Sequence, residues 1–233
     1  MALIVAALLA TVFGLVPLGA YLTWVAGMHR RPTPTAMSGP ADLLALLAGL
    51  CGLLPTLGVL TLLTVQSNTR LLARGSFTQC AALWAEERNA WLLTVTLFLA
   101  AAAVAFGLAL AHRRGTLAVY NIDRLGIERA VTEVMAGLGL TAARFGNVWG
   151  DGREILAIDP APGMHFAAVR WRTSDPRLRE ELDRGLRLRL DRTPGAGNLG
   201  VAAALTTAGV GCLGAAFAAA ALLVYFLYLT RLA

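Results

Sequence analysis

Four apolar stretches, residues 2–28, 41–65, 90–112 and 199–229, constrain this chain more than any other feature. A bilayer core of about 30 Å needs about 20 helical residues at about 1.5 Å each, and every stretch is long enough to cross it. None carries a charge deep inside, since Asp42 and His112 stand at the ends. The expected architecture is therefore an α-helical membrane protein with four transmembrane helices. The first stretch has no basic residue ahead of it, and Pro17, Tyr21 and Trp24 stand where a signal peptide would place small residues, so it reads as a retained span.

Charge sets the expected orientation. The 20 basic residues are all arginine, beside abundant alanine and glycine, which fits a GC-rich bacterial genome and points to a bacterial inner membrane. Ten arginines between Arg30 and Arg192 lie near membrane ends on the face that holds residues 29–40 and 113–198, against Arg70, Arg74, Arg88 and Arg231 on the other. By the positive-inside rule residues 113–198 are cytoplasmic and both chain termini lie outside. Within residues 115–195, 12 arginines meet 11 acids, so most of the net charge of +6 belongs to the membrane borders. Those borders suit the lipid bilayer as partner, and the near-neutral domain excludes a nucleic-acid footprint.

The spans carry no chemistry of an obvious kind. Proton relays and ion sites are built from ionisable groups inside the membrane, and these stretches offer only threonines there. Cys51, Cys80 and Cys212 are scattered without metal-ligand spacing, so no metal and no cofactor is expected. In the fourth span Gly200, Ala204, Ala208, Cys212, Ala216 and Ala220 recur every four residues and form a smooth ridge suited to close helix packing, echoed by Ala103, Gly107 and Ala111 in the third. Pro17 and Pro55 interrupt the first two spans, which raises an alternative: a channel or transporter component whose path is lined by proline-kinked helices 1 and 2.

Residues 113–198 read as a small soluble α+β domain of helix, three-stranded antiparallel sheet and helix, inserted between helices 3 and 4. After a short apolar run at Leu117–Tyr120, Asn121 and Asp123 are candidate caps for a helix with Ile127, Val131, Val134, Met135 and Leu138 on one face and Gly139 as its stop. Strands are expected at 143–149, 153–159 and 164–172, with Asp151-Gly152 as a hairpin turn. A second helix is expected from Pro176, capped by Ser174 or Asp175, with Leu178, Leu182, Leu186 and Leu190 along one side. Pro194–Gly200 reads as a glycine-rich hinge into the fourth span.

No catalytic constellation emerges, because His165 stands alone and the carboxylates do not converge. Arg170 and Arg172 are spaced to share a strand face, which with Arg144 makes a candidate recognition patch. The expected function is accordingly non-enzymatic: a display or accessory membrane protein presenting a small cytoplasmic domain to a protein partner.

Overall fold

A computed structural model of the chain describes residues 2–53, 88–141, 143–161 and 163–232. They form six helices and a six-stranded antiparallel sheet. The helices are α1 (Ala2–His29), α2 (Gly39–Leu50), α3 (Arg88–Arg113), α4 (Arg124–Gly137), α5 (Pro176–Leu190) and α6 (Leu199–Leu232). The strands are β1 (Thr35–Ser38), β2 (Thr116–Tyr120), β3 (Ala143–Phe145), β4 (Val148–Gly150), β5 (Glu154–Ala161) and β6 (Phe166–Trp171).

Three helices, α1, α3 and α6, are long and apolar enough to cross a membrane. The second expected span is represented by α2, which ends at Leu50 in a turn at Cys51 and Gly52; its remainder from residue 54 to 65, with Pro55, lies outside the described residues. The residues between the second and third expected spans, up to residue 87, lie outside them as well.

The chain divides into two compact units. In the first, residues 1–22, 46–109 and 208–233, glycines mark where helices approach. A Cβ on Gly19 of α1 would meet the Gly209 carbonyl of α6 at 2.9 Å and Leu213 at 2.8 Å, and one on Gly52 would run into the Phe13 backbone. Close approach through small residues is how apolar helices gain packing where lipid offers no hydrophobic drive.

The second unit, residues 23–45 and 110–207, holds the sheet in the order β1-β2-β6-β5-β4-β3. Leu117 and Val119 of β2, Val169 of β6 and Leu156 and Ile158 of β5 form one core with Ile127, Val131 and Met135 of α4 and Leu182, Leu186 and Leu190 of α5. Both helices open on one of their expected caps and bury most of their expected faces, Leu138 alone being an exposed C-cap residue. Asp123 accepts the Gly126 amide to open α4; after Leu138, Gly139 at φ 73° turns the chain so that the Leu140 amide reaches back to the Met135 carbonyl at 2.9 Å. Asp175 accepts from Arg177 and Leu178 ahead of Pro176.

The sheet corrects the three-stranded expectation. The segment 143–149 is not one strand: Gly146, at φ 66°, and Asn147 turn it back on itself, giving β3 and β4. Two further strands complete the sheet: the apolar run after α3 is β2, and Thr35–Ser38 of the loop after α1, far away in sequence, pairs antiparallel with its residues Leu117–Tyr120. Asp151-Gly152 does join strands, linking β4 to β5 beside a register shift at Trp149 and Gly150. The sheet domain is thus built from two separated parts of the chain, and β2, between β1 and β6, is where they meet.

Candidate functional site

Polar groups in the second unit concentrate around β2. Tyr120, its last residue, is buried; its phenol donates a short hydrogen bond to the Asp42 carboxylate of α2, and Phe166 packs against its ring with centroids 5.0 Å apart. Asp42 also faces Arg113, at the end of α3, at 3.5 Å. Its place in the first turn of α2 puts the negative charge near the positive end of the helix dipole. Gly39 opens α2 directly against the turn between α3 and β2, because a Cβ there would collide with Thr116 and with the Arg113 carbonyl, to which Thr116 Oγ1 donates at 2.9 Å. His29, the last residue of α1, is 3% exposed and stands edge-on to Tyr120 at 5.9 Å.

The neighbouring residue completes the junction. Asn121 is fully buried and holds a left-handed φ of 62°, a conformation that asparagine tolerates better than most residues. Its Nδ2 donates to the Arg31 carbonyl at 2.7 Å, its Oδ1 accepts the Gly197 amide at 2.9 Å, and its backbone carbonyl accepts the Ala196 amide at 3.0 Å. The Gly195 amide reaches the Pro32 carbonyl at 2.7 Å, and Arg30 Nη2 donates to Thr206 Oγ1 of α6 at 2.9 Å. The glycine-rich segment expected to act as a hinge is therefore held by three consecutive amides. Gly195 is required there, since a Cβ would strike the Asn121 amide group.

One strand end thus gathers the last turn of α1 and the residues after it, the start of α2, the end of α3 and the residues leading into α6. Hydrogen bonds and an ion pair satisfy Asp42, Tyr120 and Asn121, so the arrangement is suited to holding these segments in fixed register. Replacing Tyr120 with phenylalanine removes one hydrogen bond to a buried carboxylate and is expected to cost about 1.5 kcal/mol, read from thermal unfolding of the full chain in detergent.

Each arginine of the candidate recognition patch lies beside an acid. Arg170 faces Asp159 at 3.1 Å, Arg172 faces Glu154 at 2.6 Å, and Arg144 pairs with Glu128 at 2.8 Å while its guanidinium lies 5.8 Å from the Trp149 ring centroid. Strands β4 and β5 separate β3 from β6, which puts Arg144 about 14 Å from Arg170 at about 4.8 Å per strand. On α6, Ala216 is buried, Cys212 and Ala220 are half-buried, and Gly200, Ala204 and Ala208 are exposed. Ala202, Gly209, Ala216 and Ala219 are the buried residues of α6 among those described. Gly107 of α3 is exposed, and a Cβ added to it meets nothing within 4 Å among the described residues.

Sequence reading missed Asn121, taken only as a possible helix cap, and Asp42, taken only as a span terminus. The one signal available was the pair of small residues around Ala196, where backbone approaches closely. No family model, no curated protein and no solved structure matches the chain.

Proposed function

We propose that the chain is a four-span membrane protein of a bacterial inner membrane, with residues 41–65 completing the second crossing, both termini outside and the α+β domain in the cytoplasm. In this reading the domain is a non-enzymatic interaction module, rigidly coupled to the ends of its own helices, that presents a surface to a protein partner. The observation that carries it is the junction at Tyr120 and Asn121, where segments adjoining all four apolar stretches meet one strand. Such a junction makes the domain a reporter of helix arrangement, and equally a handle through which a partner biases that arrangement.

The carboxylates support a structural role. Glu128 pairs with Arg124 and Arg144, Glu133 with Arg189, Asp183 with Arg187 and Asp159 with Arg170, so these acids are engaged by arginines rather than paired with one another for proton transfer. Apolar side chains remain on the domain surface for a partner, with Phe145 76% and Met164 57% exposed. Photo-cross-linking residues placed at Phe145 and Met164, and at Val104 and Leu108 of the exposed α3, test this in native membranes. The domain positions are expected to capture the same protein and the α3 positions lipid. Protein captured at α3 alone would contradict a display role for the domain.

A further inference from the structure

The second unit contains a hollow of about 530 Å³ between the first turns of α4, the end of α5 and the segment Thr193–Ala196. Five charged side chains line it: Arg129, Arg189 and Arg192, with Asp123 and Glu133. Two of them cancel, because Arg189 is ion-paired with Glu133, and Asp123 is engaged in capping Gly126. Arg129 and Arg192 have no acidic partner among the described residues, although every other arginine of α4 and α5 except Arg177 and Arg179 is ion-paired, and Arg179 donates to the Arg114 carbonyl. Two arginines without acidic partners lining one cavity leave it a positive charge that an anion would balance, and the planar fork of arginine matches phosphate oxygens.

The surroundings add an apolar side. Leu125, 68% exposed, lines the same hollow, and Leu188, 57% exposed, lines a second hollow of about 240 Å³ that shares Glu133, Arg189 and Arg192 with the first. The wall formed by Gly195 and Ala196 lies three residues before α6 begins at Leu199, a reach of about 10 Å at most. Polar headgroup layers extend the bilayer from about 30 Å to about 40–45 Å, so a cavity this close to a span start is within reach of lipid phosphates.

We propose that this hollow binds the phosphate of an anionic phospholipid headgroup between Arg129 and Arg192, with Leu125 and Leu188 against the apolar part of the lipid. The lipid source rests on the four-span reading above, whereas recognition of a phosphate by the two arginines does not.

The test uses the full chain in maltoside detergent, titrated with phosphatidylglycerol, with phosphatidylcholine and with glycerol phosphate. Phosphatidylglycerol is expected to bind selectively over phosphatidylcholine, to bind at least about tenfold more weakly to the Arg129→Gln/Arg192→Gln variant, and to bind unchanged to an Arg153→Gln/Arg177→Gln control with the same net charge change. Glycerol phosphate bound as tightly as the lipid, and lost in the same variant, would overturn the lipid source and leave a soluble phosphate compound as the ligand. Equal phosphatidylglycerol binding by the wild-type chain and the Arg129→Gln/Arg192→Gln variant would overturn the site. Carbonate extraction of native membranes keeps the two readings apart: a chain washed off the membrane sinks the four-span reading, while the glycerol phosphate arm still tests the pocket.

Discussion

Replacing Asn121 with alanine will destabilise the domain by about 2–4 kcal/mol, because it removes two hydrogen bonds of a fully buried side chain, to the Arg31 carbonyl and from the Gly197 amide, at about 0.5–1.5 kcal/mol each, and adds left-handed strain of about 1 kcal/mol. The total is a large fraction of the stability of an ordinary domain, about 5–15 kcal/mol. Three substitutions separate the contributions. Glycine accepts the φ of 62° and loses only the side-chain bonds, so it will be less harmful than alanine by about 1 kcal/mol. Aspartate keeps the acceptor for Gly197 but turns a negative charge on the Arg31 carbonyl in a buried site, and will be at least as harmful as alanine. Thermal unfolding of the full chain in detergent reads the order: wild type, then glycine, then alanine and aspartate. Alanine with wild-type stability would mean that these hydrogen bonds hold nothing.

In the first unit, Gly19→Leu will cost about 2–4 kcal/mol, whereas Gly107→Leu will change stability by less than about 0.5 kcal/mol. Gly19 faces Gly209 and Leu213 with no space for even a Cβ, so a leucine must drive α1 and α6 apart. Gly107 is exposed on α3, where an added Cβ meets nothing within 4 Å among the described residues. Both glycines lie inside long apolar helices, so loss or gain of helix propensity is similar for the two and their difference isolates packing. Unfolding in detergent measures both variants. Equal effects would show that the approach of α1 to α6 does not contribute to stability.

What could be read from sequence follows the distance over which each feature is determined. Helices α4 and α5 were legible because their caps and apolar faces are local: Asp123 and Gly139 bracket one, and Asp175-Pro176 opens the other. The lengths of α1, α3 and α6 followed from apolar runs alone. Strand β1 was not legible, since four residues between two apolar stretches pair with a strand about eighty positions later, and no local pattern announces such a partner. The turn at Gly146-Asn147 was visible in principle, but three-residue strands are too short for alternation to assert itself.

The surroundings of the candidate site residues follow the same rule. Period-two spacing sets Arg170 and Arg172 two positions apart but does not supply the strand order, in which β5 and β4 lie between β6 and β3. Nor does spacing reveal that each of the three has its own acid. Asn121 gains its role from partners 90 and 76 positions away, so a lone asparagine between strand and helix reads as a cap until both are in place. The segment Pro194–Gly200 has the composition of a flexible linker and the hydrogen bonding of a fixed strap, a difference made by Asn121 and Pro32 together with the bond from Asn198 Nδ2 to the Gly163 carbonyl.

The central claim, that the domain is fastened to its helix ends rather than tethered, is tested most directly by hydrogen exchange on the full chain in lipid nanodiscs. The amides of Gly195, Ala196 and Gly197 lie in a segment without regular secondary structure, yet each donates to a defined acceptor. Their exchange is expected to be as slow as that of the Leu117–Tyr120 amides in β2, and to become fast in the Asn121→Ala variant. Exchange of all three in the wild-type chain at the rate of an unstructured peptide would contradict the account.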